Sequence, residues 1–371
     1  MEETQLINKL SQCAIGTLKQ ALKVFCIGDP HFKVSNAKET DEMCEKIYEK
    51  IKEINPDIIV CLGDILDRHE TIHVSPLTRA TQFLKTLSEL APLYAIIGNH
   101  DRPNNSNFLT TEHPFNALKQ WSNTVVVDRV VRTTINGHLL VFVPYVYPGR
   151  FVEALLTIDD NPNWYKEATA IFAHQEFYGA KMGVVNSIIG DVWPLENPLV
   201  ISGHIHDYDE LQSNLIYVGT PISHAWGDKG DNTVSVFNFY PNGPGRVLRA
   251  HFNTTRVDLN LIRRIIVRIR PDQVSTYEPP SNKLVKLMVV GTSAEIKAIM
   301  KLSKLKELQK RGVKVCYKQI DNVTVKENSS TPNEQPRQVR YLTRLAETIA
   351  SDPELVSWYE KLFGKCTDVI L

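Results

Sequence analysis

The sequence predicts an α/β fold in which strands and helices alternate around layered sheet. Two observations predict it. Short apolar runs alternate with amphipathic stretches through the first hundred residues, and three of those runs stop at a glycine followed by a polar residue. A third observation places a site: five strand-like runs, spread over 180 residues, each end in side chains able to hold a metal ion.

In chain order, residues 1–22 read as an N-terminal helix, with Leu6, Leu10, Ile15, Leu18 and Leu22 near helical spacing. A first domain is expected over 23–257. The run 23–27 reads as a strand and ends in Gly28-Asp29-Pro30-His31. A helical stretch over 40–54 and the break Asn55-Pro56 lead to a strand over 58–62, which ends in Gly63-Asp64. A second helix, 77–90, precedes the run 93–97, which ends in Gly98-Asn99-His100-Asp101. Runs at 139–143, 170–173 and 199–202 follow, the last two ending in His174 and in Gly203-His204-Ile205-His206. Runs at 216–218 and 234–239 complete this domain. A smaller domain is expected over 258–320, with strands at 265–269, 284–290 and 313–317 and one long helix over 293–310. Residues 321–338, rich in Asn, Ser, Glu and Pro, read as a linker. The tail, 339–371, reads as two short helices, the second starting at Ser351-Asp352-Pro353-Glu354 with a capping side chain and a first-turn proline.

Bulk properties exclude several classes. The chain has 371 residues, 43% of them apolar and 23% charged, the ordinary balance of a globular protein. Its formal net charge is zero, so no global field draws it to nucleic acid or membrane, and such binding needs a local patch. None of the six cysteines forms a C-x-x-C pair, which points to buried thiols in a reducing compartment. No apolar run approaches the roughly 20 residues of a membrane span. The expectation is an intracellular, cytoplasmic and soluble protein without a membrane partner.

In open α/β sheets, sites form beyond the carboxyl ends of the strands, where residues far apart in sequence converge. Asp29, His31, Asp64, Asn99, His174, His204 and His206 combine carboxylate, amide oxygen and imidazole, a mixture that suits Mn²⁺, Fe²⁺ or Zn²⁺ better than an all-oxygen cage. Seven ligands are too many for one ion and about right for two sharing a bridge. Asp64 is the natural bridge, because one carboxylate can give an oxygen to each ion. The glycines at 28, 63, 98 and 203 fit close turns where the backbone approaches without a Cβ.

Taken together, GDPH (28–31), GDILDR (63–68), GNHD (98–101), His174 and GHIH (203–206) resemble the calcineurin-like metallophosphoesterases over about residues 23–240. The resemblance implies a two-sheet β-sandwich flanked by helices. It also implies one metal on Asp29, His31 and His206, another on Asn99, His174 and His204, and Asp64 between them. Two such ions activate a water and neutralise phosphoryl oxygens. His100 would then face the phosphate as the catalytic residue at the leaving oxygen, with Asp101 orienting its ring.

Within that superfamily the flanks resemble the SbcD-type recombination nucleases, most closely phage-encoded members. The features are GNHD, His174-Gln175-Glu176-Phe177, YVGTPISHAWGD (217–228) and the strand–helix–strand unit after residue 258. That resemblance implies a DNA exonuclease and endonuclease with Mn²⁺, a capping domain over the site, an SbcC-type coiled-coil ATPase partner and an open question of homodimerisation. The chain carries no Gly-rich phosphate loop of its own. Arg263, Arg264, Lys301, Lys304, Lys310 and Arg311 are the candidate DNA contacts. Tyr341, Leu345, Leu355, Trp358 and Phe363 are the candidate docking face of the tail. One departure matters: Asp67 stands where some of these nucleases carry a histidine, and with Arg68 it resembles the serine/threonine phosphatases, so Arg68 is a candidate phosphate contact and His69, in the same loop, a second. The competing readings are a phosphatase or small-molecule phosphodiesterase, and a binding scaffold without catalysis.

Overall fold

The computed structural model describes residues 21–183, 185–226, 228, 232–241, 251–281, 283–320, 348–350 and 352–363. The chain divides into two units, 1–320 and 321–371. In the first, β1 (Leu22–Ile27), α1 (Ala37–Ile54), β2 (Ile58–Cys61), α2 (Val74–Leu90), β3 (Leu93–Ile96) and β4 (Thr124–Val127) follow in order. The chain then lays down β5 (Val131–Ile135), β6 (His138–Val143), α3 (Phe151–Leu155) and β7 (Ala170–His174). A small hairpin of β8 (Lys181–Met182) and β9 (Val185–Asn186) precedes β10 (Leu199–Gly203), β11 (Asp209–Gln212) and β12 (Leu215–Tyr217). It continues with β13 (Thr233–Tyr240) and β14 (His251–Asp258), then β15 (Arg263–Ile269), β16 (Lys283–Gly291), α4 (Ser293–Ile299), α5 (Ser303–Lys310) and β17 (Lys314–Gln319). In the second unit α6 spans Pro353–Phe363.

Two six-stranded sheets form, in the orders β14-β13-β1-β2-β3-β4 and β11-β12-β10-β7-β6-β5. The expected two-sheet sandwich flanked by helices is the fold found. Strand period explains it: Val24 and Cys26 face the inter-sheet core with Val60, Phe142, Phe172 and Ile201. Phe25 and Ile27, on the opposite face, pack under α1 and α2 against Ile47, Ile51, Phe83 and Leu87. Buried on both faces, such strands read as unbroken apolar runs. Each fully buried Phe, such as Phe25, contributes about 2 kcal/mol of apolar transfer energy.

Several expectations change. Leu22, assigned to the N-terminal helix, opens β1, while residues 1–20 lie outside the described residues. Strands β4, β5, β11 and β14 were not expected. β4, β5, β11 and β14 are the edges of the two sheets, and β5 and β14 alternate half-buried with exposed residues instead of forming apolar runs.

The single helix expected over 293–310 is two. Thr292 caps α4 by accepting from the Glu295 amide at 3.3 Å, while the Glu295 carboxylate accepts from the Thr292 amide at 2.8 Å. The chain breaks at residues 300–302 because one straight helix would set Leu305 about 120° around from Ile299. The break turns both onto the core of the β15-β16-β17 sheet. The 321–338 segment and residues 339–347 lie outside the described residues. On α6, Leu355 and Trp358 are exposed.

Candidate metal centre

The loops after β1, β2, β3 and β10 are stitched into one platform by their own backbone. The His31 amide donates to the Asp64 carbonyl oxygen at 3.0 Å and the Phe32 amide to that of Ile65 at 2.8 Å. The Asp101 carboxylate accepts from the amides of Ile65 (3.1 Å), Leu66 (2.8 Å) and Gly98 (3.0 Å), which ties the third loop to the second. The Asp29 carboxylate accepts from the His204 amide at 2.9 Å, which ties in the fourth. Packing is tight enough that a Cβ on Gly98 would lie 2.2 Å from the Asp64 amide nitrogen, so only glycine fits there. His31, Asp64 and His204 hold positive φ angles of 43°, 46° and 80°. Such strain costs on the order of 1 kcal/mol each and is typical of functional positions.

On this platform the seven side chains named from the sequence converge. Asp29, His31 and His206 form one group able to hold a metal ion, and Asp64, His174 and His204 form another. Hydrogen bonding identifies the free lone pairs. His31 donates from Nδ1 to the Leu66 carbonyl oxygen (3.2 Å) and His174 from Nδ1 to that of Leu62 (2.7 Å), which turns each Nε2 toward the centre as the nitrogen that would meet a metal. His31 Nε2 then faces His206 Nε2 at 3.2 Å. His174 Nε2 lies 3.0 Å from Asn99 Oδ1 and 3.3 Å from His204 Nδ1, and His204 Nδ1 is 3.0 Å from Asn99 Oδ1. The Asp64 carboxylate stands between the halves, 3.7 Å from His31 Nε2 and 3.4 Å from His174 Nε2. Acceptors gathered this closely are the donor set of cations, and the nitrogen–oxygen mixture suits borderline divalent ions.

The protonation states fit the same reading. Burial pushes the Asp64 carboxyl up, but the imidazoles of His174, His31 and His100 outweigh it and hold it well below the carboxylate range. Burial lowers His31 to about 3, so its ring is neutral and ready to ligate. Burial also lowers His174, but the Asp64 and Asp29 carboxylates overcome this and raise it to about 9. A raised histidine stabilises the metal-free fold at low pH and loses that contribution as pH rises through about 9. Metal must displace that proton. We therefore expect divalent-ion affinity to rise about tenfold per pH unit between roughly pH 7 and 8.5, with one proton released per chain. Calorimetric titration in buffers of different ionisation enthalpy reads this directly, and a pH-independent affinity would contradict it.

The other nominated residues separate. His100 belongs to neither ligand group, and its Nε2 lies 3.9 Å from Asp64 Oδ2. Its ring stacks on His69 at 4.6 Å, and His69 Nδ1 in turn lies 3.2 Å from the Arg102 carbonyl oxygen. Asp101 does not sit behind the His100 ring as expected: its oxygens are taken by the three backbone amides, so it holds the platform instead. Arg68 is exposed and forms no ion pair among the described residues. Of the six candidate DNA contacts, Arg264 turns inward, donating to Glu39 (2.9 Å) and to the His224 carbonyl oxygen (3.1 Å). Arg263 pairs with Asp258, and Lys304 and Arg311 pair with Glu278 and Glu307. Lys301 and Lys310 form no ion pair among the described residues.

Three residues at the site had not been singled out. His224 lies 2.8 Å from the Asp29 carbonyl oxygen through Nε2 and packs its ring 4.7 Å from His31 and 5.1 Å from His206. Glu176 reaches within 3.9 Å of His204 Nε2, and Tyr145 lies against the His174 and His204 rings. His224 and Glu176 stood inside motifs already quoted, but only the fold brings them to the ligands.

Comparison with known proteins agrees with this geometry. The family model described as calcineurin-like phosphoesterase matches residues 22–208. This chain belongs to the calcineurin-like phosphoesterase family. Protein 244L of Invertebrate iridescent virus 6, named as a phosphoesterase, is 39% identical over 288 residues, spanning 75% of this chain and 97% of its own. Protein 078R of Invertebrate iridescent virus 3, named likewise, is 38% identical over 301 residues, spanning 80% and 84%. A solved structure, TT1561 of Thermus thermophilus, is similar over 64% of this chain and 99% of its own, with TM-score 0.38 and 15% identity. The chain is a metallophosphoesterase with two candidate sites for divalent metals. No helix among the described residues is long and apolar enough to cross a membrane.

Proposed function

We propose that this member of the family is a two-metal phosphodiesterase that cleaves DNA, the SbcD-type nuclease subunit of a complex with an SbcC-type coiled-coil ATPase. The observation that carries the catalytic part is the division of the acceptor set into two halves about Asp64, with His100 beside it and outside both. Asp29, His31 and His206 would hold one ion, Asn99, His174 and His204 the other, and Asp64 both. When bound, two divalent ions, Mn²⁺ in this reading, neutralise phosphoryl oxygens and supply an attacking water at neutral pH. The protein's own residues orient and exclude. Leu62 and Leu66 fix the ring tautomers through their carbonyl oxygens, and Glu176 and His224 brace the ligand rings from outside. His100 donates a hydrogen bond or a proton to the leaving oxygen.

DNA as substrate rests on the nuclease-like flanks. It is also supported by Lys301 and Lys310 on the α4–α5 layer, cations without an ion pair among the described residues, which can meet backbone phosphates. The exposed Leu355 and Trp358 of α6 belong to the segment assigned to the partner. Arg68, exposed and without an ion pair among the described residues, favours the competing phosphatase reading, since such a cation can grip a terminal phosphate. Incubation with Mn²⁺ and end-labelled duplex DNA, with and without the ATPase, separates the two. The expected result is metal-dependent shortening of the duplex, abolished by chelation. Turnover of phosphomonoesters without any DNA cleavage would replace the nuclease reading with the phosphatase one.

A further inference from the structure

Beside the metal centre lies a cavity of about 300 Å³, at the small end of ligand sites. Its walls are continuations of two ligand loops. Phe32, Lys33 and Val34 follow directly on His31, and Leu66, Asp67 and Arg68 follow closely on Asp64. His224, whose ring touches those of His31 and His206, lines it as well, and Arg264 reaches it from β15. A molecule in this cavity therefore adjoins the half of the centre made by Asp29, His31 and His206.

The lining has two characters. Its charged groups are three cations, Lys33, Arg68 and Arg264, against one acid, Asp67. Lys33 is held by Asp67 at 2.9 Å and Arg264 by Glu39, so Arg68 is the lining cation without an ion pair among the described residues. The apolar character is exposed: Val34 and Ile72 are 60% and 45% accessible, although both line a cavity next to a polar centre. With Phe32, Leu66 and Pro76 they give the cavity an apolar lining beside its few charged groups, the usual make-up of a small-molecule site. A ligand that matches both has a flat apolar body attached to a phosphate, and the volume admits one such unit.

We propose that this cavity seats the nucleoside attached to the reacting phosphate, with Val34 and Ile72 against the base and Arg68 toward the next phosphate of the chain. The proposal rests on the phosphodiesterase reading and adds where on this chain, and by which residues, the nucleoside would be recognised. Filling the cavity should then cost nucleoside recognition specifically.

The test uses the full chain loaded with Mn²⁺ and two readouts, one of them independent of turnover. In equilibrium binding, thymidine 5′-monophosphate should bind at least tenfold tighter than inorganic phosphate. In catalysis, the 4-nitrophenyl ester of thymidine 5′-monophosphate should exceed bis(4-nitrophenyl) phosphate at least tenfold in kcat/KM. Val34→Trp and Ile72→Trp, both at exposed positions, should bring each ratio to within about twofold of unity while metal content stays at two ions per chain. A wild-type binding ratio near one, or ratios unmoved in both variants, overturns the proposal even if the plain diester is cleaved. A nucleotide binding advantage that both variants abolish, in a protein that cleaves no diester, upholds the cavity and removes the phosphodiesterase reading.

Discussion

Asp64→Asn is expected to leave a folded chain that holds neither ion and has no measurable phosphoesterase activity. Asparagine has nearly the same shape and tolerates the left-handed backbone at this position, φ 46°, far better than alanine does. Its side-chain oxygen can still accept from the His100 amide, which donates to Asp64 Oδ1 at 2.8 Å. What disappears is the anion that lies within 4 Å of ring nitrogens on both halves, His31 at 3.7 Å and His174 at 3.4 Å. Loss of a partner one shell further out commonly costs roughly 10–100-fold in metal affinity. Loss of the ligand shared by two sites should cost at least that at each. Metal content by mass spectrometry after gel filtration reads the outcome, with circular dichroism to report the fold. Two retained ions would remove Asp64 from the bridging role.

His100→Ala is expected to do the reverse: both ions stay and turnover falls by about 10²–10⁴-fold, the usual contribution of a positioned acid or base. The ring lies outside both ligand groups and is part-exposed beside the bridging carboxylate. Burial lowers its pKa and outweighs the opposing pull of Asp64, so the metal-free chain holds it neutral at pH 7. It then takes the hydrogen-bonding role until phosphate charge arrives beside it. The loss should be largest for DNA, whose alkoxide leaving group needs a proton, and smaller for 4-nitrophenyl esters, whose leaving group does not. If His100→Ala empties the centre, the ring is a ligand and its assigned role is mistaken. An equal loss on both kinds of ester would point to general electrostatic stabilisation instead of proton donation.

Much of this architecture is legible from the chain because of how its strands are buried. β1, β2, β3, β7 and β10 are covered on both faces, so each appears as an unbroken apolar run, and each run stops where its loop must carry polar ligands. Gly63 and Gly98 mark those stops for a physical reason: a Cβ there would strike the His174 ring or the Asp64 backbone. Edge strands lack that signature. β14 reads His251 to Asp258 with alternating exposure, and nothing local distinguishes it from a polar loop until β13 pairs with it.

The composition of the ligand set and the positions of its seven side chains belong to the sequence, since residue type and strand-end placement are local properties. Pairing is not local. That His224 packs against His31 and His206, that Asp101 binds backbone amides instead of the His100 ring, and that Arg264 faces Glu39 and His224 instead of solvent were decided by the tertiary structure. Each of these contacts joins segments far apart in the chain, or turns on which of several acceptors within reach wins a donor. Hydrogen-bond geometry and burial in the packed chain settle that competition, and spacing along the sequence does not encode it.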